Sequence, residues 1–408
     1  MNTVLIIGAG ASGMMAAISA RQEDARVILI EHMEQVGKKL LATGNGRCNF
    51  TNISQDAEKY RSDNPDFSWH VIQKFTALDT IAFFLQLGIY SKNRNGYLYP
   101  YSDQAASVRQ ALEMKLNDLG VEVYASEEIQ SVTSKSGRFH VKTDQHRFQG
   151  ESLILATGSK AYASSGSDGS GYLLARQFGH AIVPVVPALV QLRCKESFYK
   201  NIAGIRVQGR VSLFCDQKMA CTDLGEIQLT KYGISGIPVF QVSRYAAKAL
   251  SEKKQVSAVI DFMPDFESEA LRVFLKKRIR QNPAYRVNDF LNGLFPYKLA
   301  VLWYKLAKLP KEKPVEELTE QELMNLVHLI KEFRTVVTET NDFSQAQVCA
   351  GGVDTREINP ETMESRFVPG LYFAGELLDV DGICGGYNLQ WAWSSGYIAG
   401  KEAAHAEN

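Results

Sequence analysis

Thr3-Val4-Leu5-Ile6-Ile7-Gly8-Ala9-Gly10-Ala11-Ser12-Gly13 is the stretch on which the fold turns. Its five leading residues form a short apolar run, as expected of a strand buried on both faces of a parallel sheet. The glycines follow, and then Met14 to Ala20, an Ala/Met-rich segment suited to a helix. A second apolar run, Val27 to Ile30, ends at Glu31. Strand, G-x-G-x-x-G turn, helix, strand and acid together make the dinucleotide-binding fingerprint. Gly8 permits the tight turn, Gly10 lets backbone approach a pyrophosphate, and Gly13 lets helix pack closely on strand. Ala11 and Ser12 lie at the helix N-terminus, where free N–H groups and a partial positive charge face phosphate. Glu31 is placed to accept ribose hydroxyl bonds, and an acid there favours FAD or NAD over NADP. A glycine-rich βα turn without a ligand explains the turn alone, but not the acid after the second strand.

Working outward, Ser152 to Gly158 (SLILATG) gives another buried strand, with Ala156-Thr157-Gly158 as its terminal turn. Gly370 to Glu376 (GLYFAGE) gives one more near the C-terminal end. Both resemble later signatures of two-dinucleotide-fold flavoproteins, which selects FAD. In that pattern Gly375 ends the strand, and Glu376 or Asp379 is delivered toward the flavin end of FAD. Gly385-Gly386-Tyr387-Asn388 then runs into a helix-compatible segment. Its bare N–H groups suit the negative charge of reduced flavin near N1 and O2. Between these blocks, Gly37 to Asn52 is too rich in small, polar and basic residues to be a mere connector. Lys39, Gly44, Gly46, Arg47, Cys48 and Asn49 are its candidate cofactor contacts, with at least one of Lys38 and Lys39 expected to be only solvated.

Composition removes several function classes. The chain has 408 residues, 45 Lys+Arg against 45 Asp+Glu, and a formal net charge of zero. A nucleic-acid binder would carry a basic excess on one face, so no nucleic-acid partner is expected. The apolar run ending at Ala20 imitates a signal peptide, yet glycines interrupt it and no Lys or Arg precedes it. No stretch reaches the ~20 apolar residues a bilayer span needs. The chain therefore reads as cytoplasmic, without a membrane partner. The cysteines (Cys48, Cys194, Cys215, Cys221, Cys349, Cys384) form no C-x-x-C pair and no zinc spacing, so no metal is expected. Cys48 beside Arg47 is either a low-pKa thiol or, in the favoured reading, a buried core residue; Cys384 follows the same logic. None of the seven histidines falls in a motif.

These residues resemble a known family. Gly37-Lys38-Lys39-Leu40 with Gly44-Asn45-Gly46-Arg47-Cys48-Asn49-Phe50-Thr51-Asn52 is similar to its G-K-K-L…S-G-x-G-R-C-N-x-T-N block. So are Gly166 to Tyr172, Pro187 to Val190, Gly225-Glu226 with Tyr232 to Gly236, Thr362 to Ser365, and Pro369 to Gly400. The family is the bacterial BaiN-like, or aminoacetone-oxidase-like, flavoproteins, described as NAD(P)/FAD-dependent oxidoreductases. The resemblance spans nearly the whole chain and implies FAD bound across a discontinuous large domain. Thr43 stands where the pattern has Ser, and Ser170 where it has an acid, which puts that acid's contact in doubt here.

The expected fold class is α/β, a Rossmann-like FAD-binding domain of glutathione-reductase type with an inserted β-rich, barrel-like domain and a helical subdomain. Residues 1–190 and 335–408 would form the discontinuous FAD domain. Residues 191–263, where Ile205 to Phe214 alternates and Val256 to Phe262 is β-rich, would form the inserted substrate domain. Residues 264–334 read as helical: Leu271 and Leu275 share a face, and Thr319 with Glu322 makes a capping box. Trp303, Tyr304 and Phe295 read as core rather than as a substrate cage. The function implied is hydride exchange between flavin N5 and a small organic molecule. No second nucleotide fold is present, so NAD(P)H, as electron donor, would bind transiently in the substrate cleft. The alternatives are an O2-using amine oxidase, an FAD-dependent RNA-modifying protein, and a non-catalytic FAD-binding protein. Neither a catalytic acid or base nor the oligomeric state is readable.

Overall fold

The computed structural model describes residues 2–405. The apolar runs become a five-stranded parallel sheet in the order Leu371–Phe373, Ser152–Leu155, Thr3–Ile7, Arg26–Ile30, Glu122–Tyr124. Thr3–Ile7 is central, with Ile7 opposite both Leu155 and Ile30. Val4 to Ile7 and Val27 to Ile30 are buried, as strands covered on both faces must be. Ligands of such sheets bind outside the carboxyl ends of the strands, which brings Gly8, Glu31, Ala156 and Ala374 to one side.

The helix Ala11–Gln22 is buried from Ser12 through Ala20. It lies against the C-terminal helix Tyr387–Ala404 through glycine. A Cβ on Gly396 would stand 2.4 Å from Ser12 O, and one on Gly400 2.2 Å from Ala16 O. The two backbones therefore touch where no side chain fits. Around this core lie an antiparallel meander (Ile129–Lys135, Arg138–Thr143, Arg147–Gly150) and a small sheet of Thr51–Asn52, Tyr97–Pro100 and Ser91–Arg94.

The chain divides into two compact units, Met1–Val186 with Gln347–Asn408, and Pro187–Ala346. In the second, six strands close a barrel: Leu192–Cys194, Gly233–Gly236, Lys218–Thr230, Arg206–Cys215, Val256–Asp261 and Phe333–Thr340. The helix Ile237–Ser251 packs against its strands. Helices Ser268–Gln281, Tyr297–Leu306 and Glu320–Lys331 complete the unit. The Thr319–Glu322 capping box forms, with Thr319 N donating to Glu322 Oε2 at 2.8 Å. Trp303 is fully buried between Phe262 and Phe295, which makes these aromatics core.

Both ends of the insert differ from the sequence reading, because residues 187–190 and 335–346, assigned there to the FAD domain, fall in the unit Pro187–Ala346. Residues 335–340 belong to the strand Phe333–Thr340 that closes the barrel. Its alternation of buried and exposed residues is a strand's signature, but it follows a helix without a breaker.

Candidate active site

The glycine turn is tightly built. Gly8 has φ 99°, and a Cβ there would lie 2.5 Å from Ala156 O; one on Gly13 would lie 1.8 Å from Gly8 O. Gly10 alone has nothing within 4 Å of its Cβ position. It is also the N-cap of Ala11–Gln22, and no side chain caps that helix. The N–H groups at this helix start thus have no side-chain acceptor, the condition for binding an anion. Glu31 is 8% exposed and accepts from Ala9 N at 2.7 Å and Met33 N at 2.9 Å. A carboxylate oxygen has two lone pairs, so each oxygen keeps one for a hydroxyl.

The last strand returns to the same place. A Cβ on Gly375 would be 2.4 Å from Ser12 Oγ. Gly375 N donates to Ser395 Oγ at 2.9 Å, and Trp391 Nε1 donates to Gly375 O at 2.9 Å. Glu376 is therefore held rigidly, and its Oε2 accepts from Lys39 Nζ at 2.5 Å and Ser159 Oγ at 3.1 Å. Lys38, by contrast, is exposed. Asp379 has another task. Its carboxylate accepts from Gly351 N at 3.1 Å and Asp63 N at 2.9 Å, and it is buried. Of the two acids read as reaching the flavin end, Glu376 stands at the turn while Asp379 staples two loops. Burial raises both the Cys349 thiol and the Tyr172 hydroxyl above their usual values, so both are protonated near neutrality. Thr157 Oγ1 and Tyr172 OH are buried without a hydrogen-bond partner.

The third glycine region meets the C-terminal helix. A Cβ on Gly386, where φ is 93°, would lie 2.6 Å from Thr51 O and 2.9 Å from Asn49 Oδ1. Asn52 Nδ2 donates to Gly385 O at 3.0 Å. Thr51 Oγ1 donates at 2.5 Å to Gln390 Oε1, deep in the helix. The Gly44–Asn49 loop and the Gly385–Gly386 turn are thus one structure. Asn49 Oδ1 is buried without a partner. Arg47 Nε donates to Gly44 O at 3.2 Å, and Gly44 and Gly46 are exposed.

Two side chains prove to be occupied by the loop itself. Asn388 accepts from Gly382 N and donates to Gly382 O, at 2.8 and 2.9 Å. Tyr387 OH donates to Ser54 O at 2.9 Å. Cys48 is fully buried, and that burial pushes its thiol up to about 12 against the opposing hydrogen bond of Thr43. The favoured reading of Cys48 as a buried core residue holds, and the alternative of a low-pKa thiol does not, because burial disfavours the thiolate. Ser159, Cys349 and Gln390 join the site unannounced, since single polar residues in apolar runs carry no spacing signal. Among the described residues no group of His, Cys, Asp and Glu could hold a metal ion, and no helix is long and apolar enough to cross a membrane.

Three orphaned buried oxygens, an open Gly10 and an uncapped helix start are polar groups that the protein leaves unsatisfied, and these residues fit FAD. A parallel sheet with this fingerprint and these returning strands defines the class, an FAD-dependent oxidoreductase with a Rossmann domain. More particularly, the chain belongs to the family described as HI0933-like protein Rossmann domain, which matches residues 2–402. It is 46% identical to the 3-dehydro-bile acid delta(4,6)-reductase of Clostridium scindens, over 99% of both chains. It is 30% identical to the ribosomal RNA dihydrouridine synthase of Haemophilus influenzae, over 96% of both. Among solved structures, the open conformation of a flavocytochrome c3 fumarate reductase matches with a TM-score of 0.51 and 15% identity. That match covers all of this chain and 79% of the other, and it shows the fold alone. The BaiN-like resemblance of the motif blocks is met by these relatives.

Proposed function

We propose that this chain reduces a carbon–carbon double bond conjugated to a carbonyl in a small organic molecule, with NAD(P)H as the electron donor. The observation that carries this reading is the joining of Glu376, Lys39 and Ser12 at one glycine turn, the arrangement needed to hold FAD by its middle. When bound, FAD supplies hydride exchange at N5 and carries negative charge near N1 and O2 when reduced. Gly10 and the amides of Ala11, Ser12 and Gly13 would hold the pyrophosphate, and Glu31 the adenosine ribose. Lys39 offsets the charge of Glu376, leaving its free oxygen to accept from a ribityl hydroxyl. Thr157 Oγ1 and Asn49 Oδ1 would take up the remaining polar groups. The start of Tyr387–Ala404 would offer its positive dipole end to the negative charge of the reduced cofactor.

The substrate class is supported by the relatives. One is named for reducing bile-acid double bonds, the other for making dihydrouridine. A uracil C5–C6 bond is also conjugated to a carbonyl, so the two names share one chemistry. An RNA substrate is the second reading, favoured by the dihydrouridine synthases alone; zero net charge argues for the small molecule.

Anaerobic mixing of the FAD-loaded protein with NADH and NADPH tests the donor. Bleaching of the flavin band, followed by reoxidation with an enone, is expected. A flavin indifferent to both nicotinamides but reduced by amines would overturn the reductase reading in favour of an O2-using oxidase.

A further inference from the structure

A hollow of about 220 Å³ opens on the FAD unit between the helix Pro65–Lys74 and the loop of residues 355–366. Asn64, Asp66 and His70 line it from the helix, and Arg356 and Arg366 from the loop. Phe67 and Ile358, both buried, give it an apolar lining. Both walls are held in shape. Arg366 N donates to Glu357 O at 2.9 Å, and Ile358 bridges to Ser365 across the loop. The helix start is tied to the rest of the unit by Asp379, which accepts from Asp63 N.

Most of the charges around this hollow are matched. His70 Nε2 and Lys74 Nζ both bind the Glu361 carboxylate. Asp354, itself buried, holds the Arg356 guanidinium, its Oδ1 accepting from Nε at 2.9 Å and its Oδ2 from Nη2 at 2.5 Å. Arg356 is thereby fixed in orientation, and its Nη1 makes no hydrogen bond among the described residues. Two lining charges of opposite sign are unmatched. Among the described residues, neither the Asp66 carboxylate nor the Arg366 guanidinium makes a hydrogen bond or an ion pair. A lone surface charge is ordinarily just hydrated. An unmatched acid and an unmatched base lining one hollow, beside an Asn64 amide that makes no capping bond, instead set two opposite demands on whatever enters.

We propose that this hollow binds a free α-amino acid with an apolar side chain. Its carboxylate would lie against Arg366 and the free edge of Arg356, its ammonium against Asp66, and its side chain on Phe67 and Ile358. A guanidinium offers a carboxylate a planar fork, and an ammonium carries donors alone, which a carboxylate accepts. An anion would leave Asp66 opposed, and a cation would meet two guanidiniums; a zwitterion satisfies both. The volume lies below the roughly 300 Å³ at which sites for drug-sized ligands begin, which suits a molecule of amino-acid size. None of these residues belongs to the cofactor site, so occupancy here is independent of the reductase reading.

The test is an NMR titration, read on the ligand, of the FAD-loaded full chain with L-valine and two analogues. N-acetyl-L-valine lacks the ammonium, and L-valinamide lacks the carboxylate. Valine is expected to bind about tenfold more tightly than either. Arg366→Gln and Asp66→Asn, with visible flavin spectra unchanged, are each expected to weaken valine about tenfold. Asp66→Asn should spare N-acetylvaline, and Arg366→Gln should spare valinamide, whereas a damaged fold would lower all three ligands together. No binding of valine at millimolar concentration, or variants that bind it as well as the wild type, would overturn the site. Tighter binding of N-acetylvaline than of valine would overturn it in favour of a simple anion site.

Discussion

At the scale of single residues, the glycines of the opening turn have separable tasks. A methyl on Gly13 collides with Gly8 O, whereas one on Gly10 meets nothing of the protein. Gly13→Ala is therefore expected to lower the melting temperature of the FAD-free protein, since backbone has to move. Gly10→Ala should leave that temperature unchanged and weaken FAD binding by about tenfold, roughly 1.4 kcal/mol. Thermal melts and FAD titrations of the two variants check this; equal behaviour would show that Gly10 is structural. Cys48 gives a prediction in pH. With its thiol pushed up to about 12, the thiolate is about one part in ten thousand at pH 8. Reaction with iodoacetamide in the native protein should be negligible at pH 8 and rise only as pH approaches the raised value. Peptide mapping after alkylation reads it directly. The glycine roles were legible in the sequence because backbone sterics depend on spacing alone. The burial of Cys48 was legible as the favoured of two readings, although a neighbouring Arg47 in sequence says nothing about desolvation in space. His180 makes the same point. No motif surrounds it, yet its side chain is fully buried, with Nε2 2.8 Å from Ser365 Oγ and Nδ1 3.0 Å from Glu357. Ser365 Oγ also accepts from Phe367 N and Val368 N, so this Ser–His–Glu row is a loop staple without access for a substrate.

At the scale of elements, legibility followed the range of the interactions that fix each one. The strands at Thr3, Val27, Ser152 and Leu371 are buried on both faces and announce themselves as apolar runs. The hairpin of Ser91–Arg94 and Tyr97–Pro100 was unread, because Lys92, Asn93 and Arg94 lack alternation and gain strand form only from pairing. Barrel closure was unreadable in the same way: it depends on the three-residue strand Leu192–Cys194 finding Phe333–Thr340. The helix contact at Gly396 and Gly400 is a long-range feature that glycine spacing does encode. Gly400→Val would drive a side chain into the backbone of Ala16, and a loss of about 3 kcal/mol is expected in denaturant unfolding. Thr319→Ala, removing one half of a capping box far from the site, should cost about 1 kcal/mol. A drop at Gly400 no larger than at Thr319 would mean that the two helices can slide apart without penalty.

At the scale of the whole molecule, the inserted unit leaves and re-enters the FAD unit at one place. Asp354 N donates to Ala181 O at 3.0 Å, and a Cβ on Gly351 would stand 2.2 Å from Pro184 O. As one chain index rises the other falls, so the segments run antiparallel and their open ends, near residues 187 and 348, are neighbours. Antiparallel ends at sheet spacing are bridged by a turn of a few residues. The fingerprint, Glu31, Lys39, the Gly44–Asn49 loop, Glu376 and the Gly385–Gly386 turn all belong to the FAD unit. Replacing residues 188–346 by a short Gly/Ser turn should therefore give a protein that still takes up FAD and shows its visible spectrum. The insert has a core of its own, so its removal should leave the core of the FAD unit intact. A colourless product with an otherwise native far-UV spectrum would mean that the FAD unit does not hold the cofactor by itself.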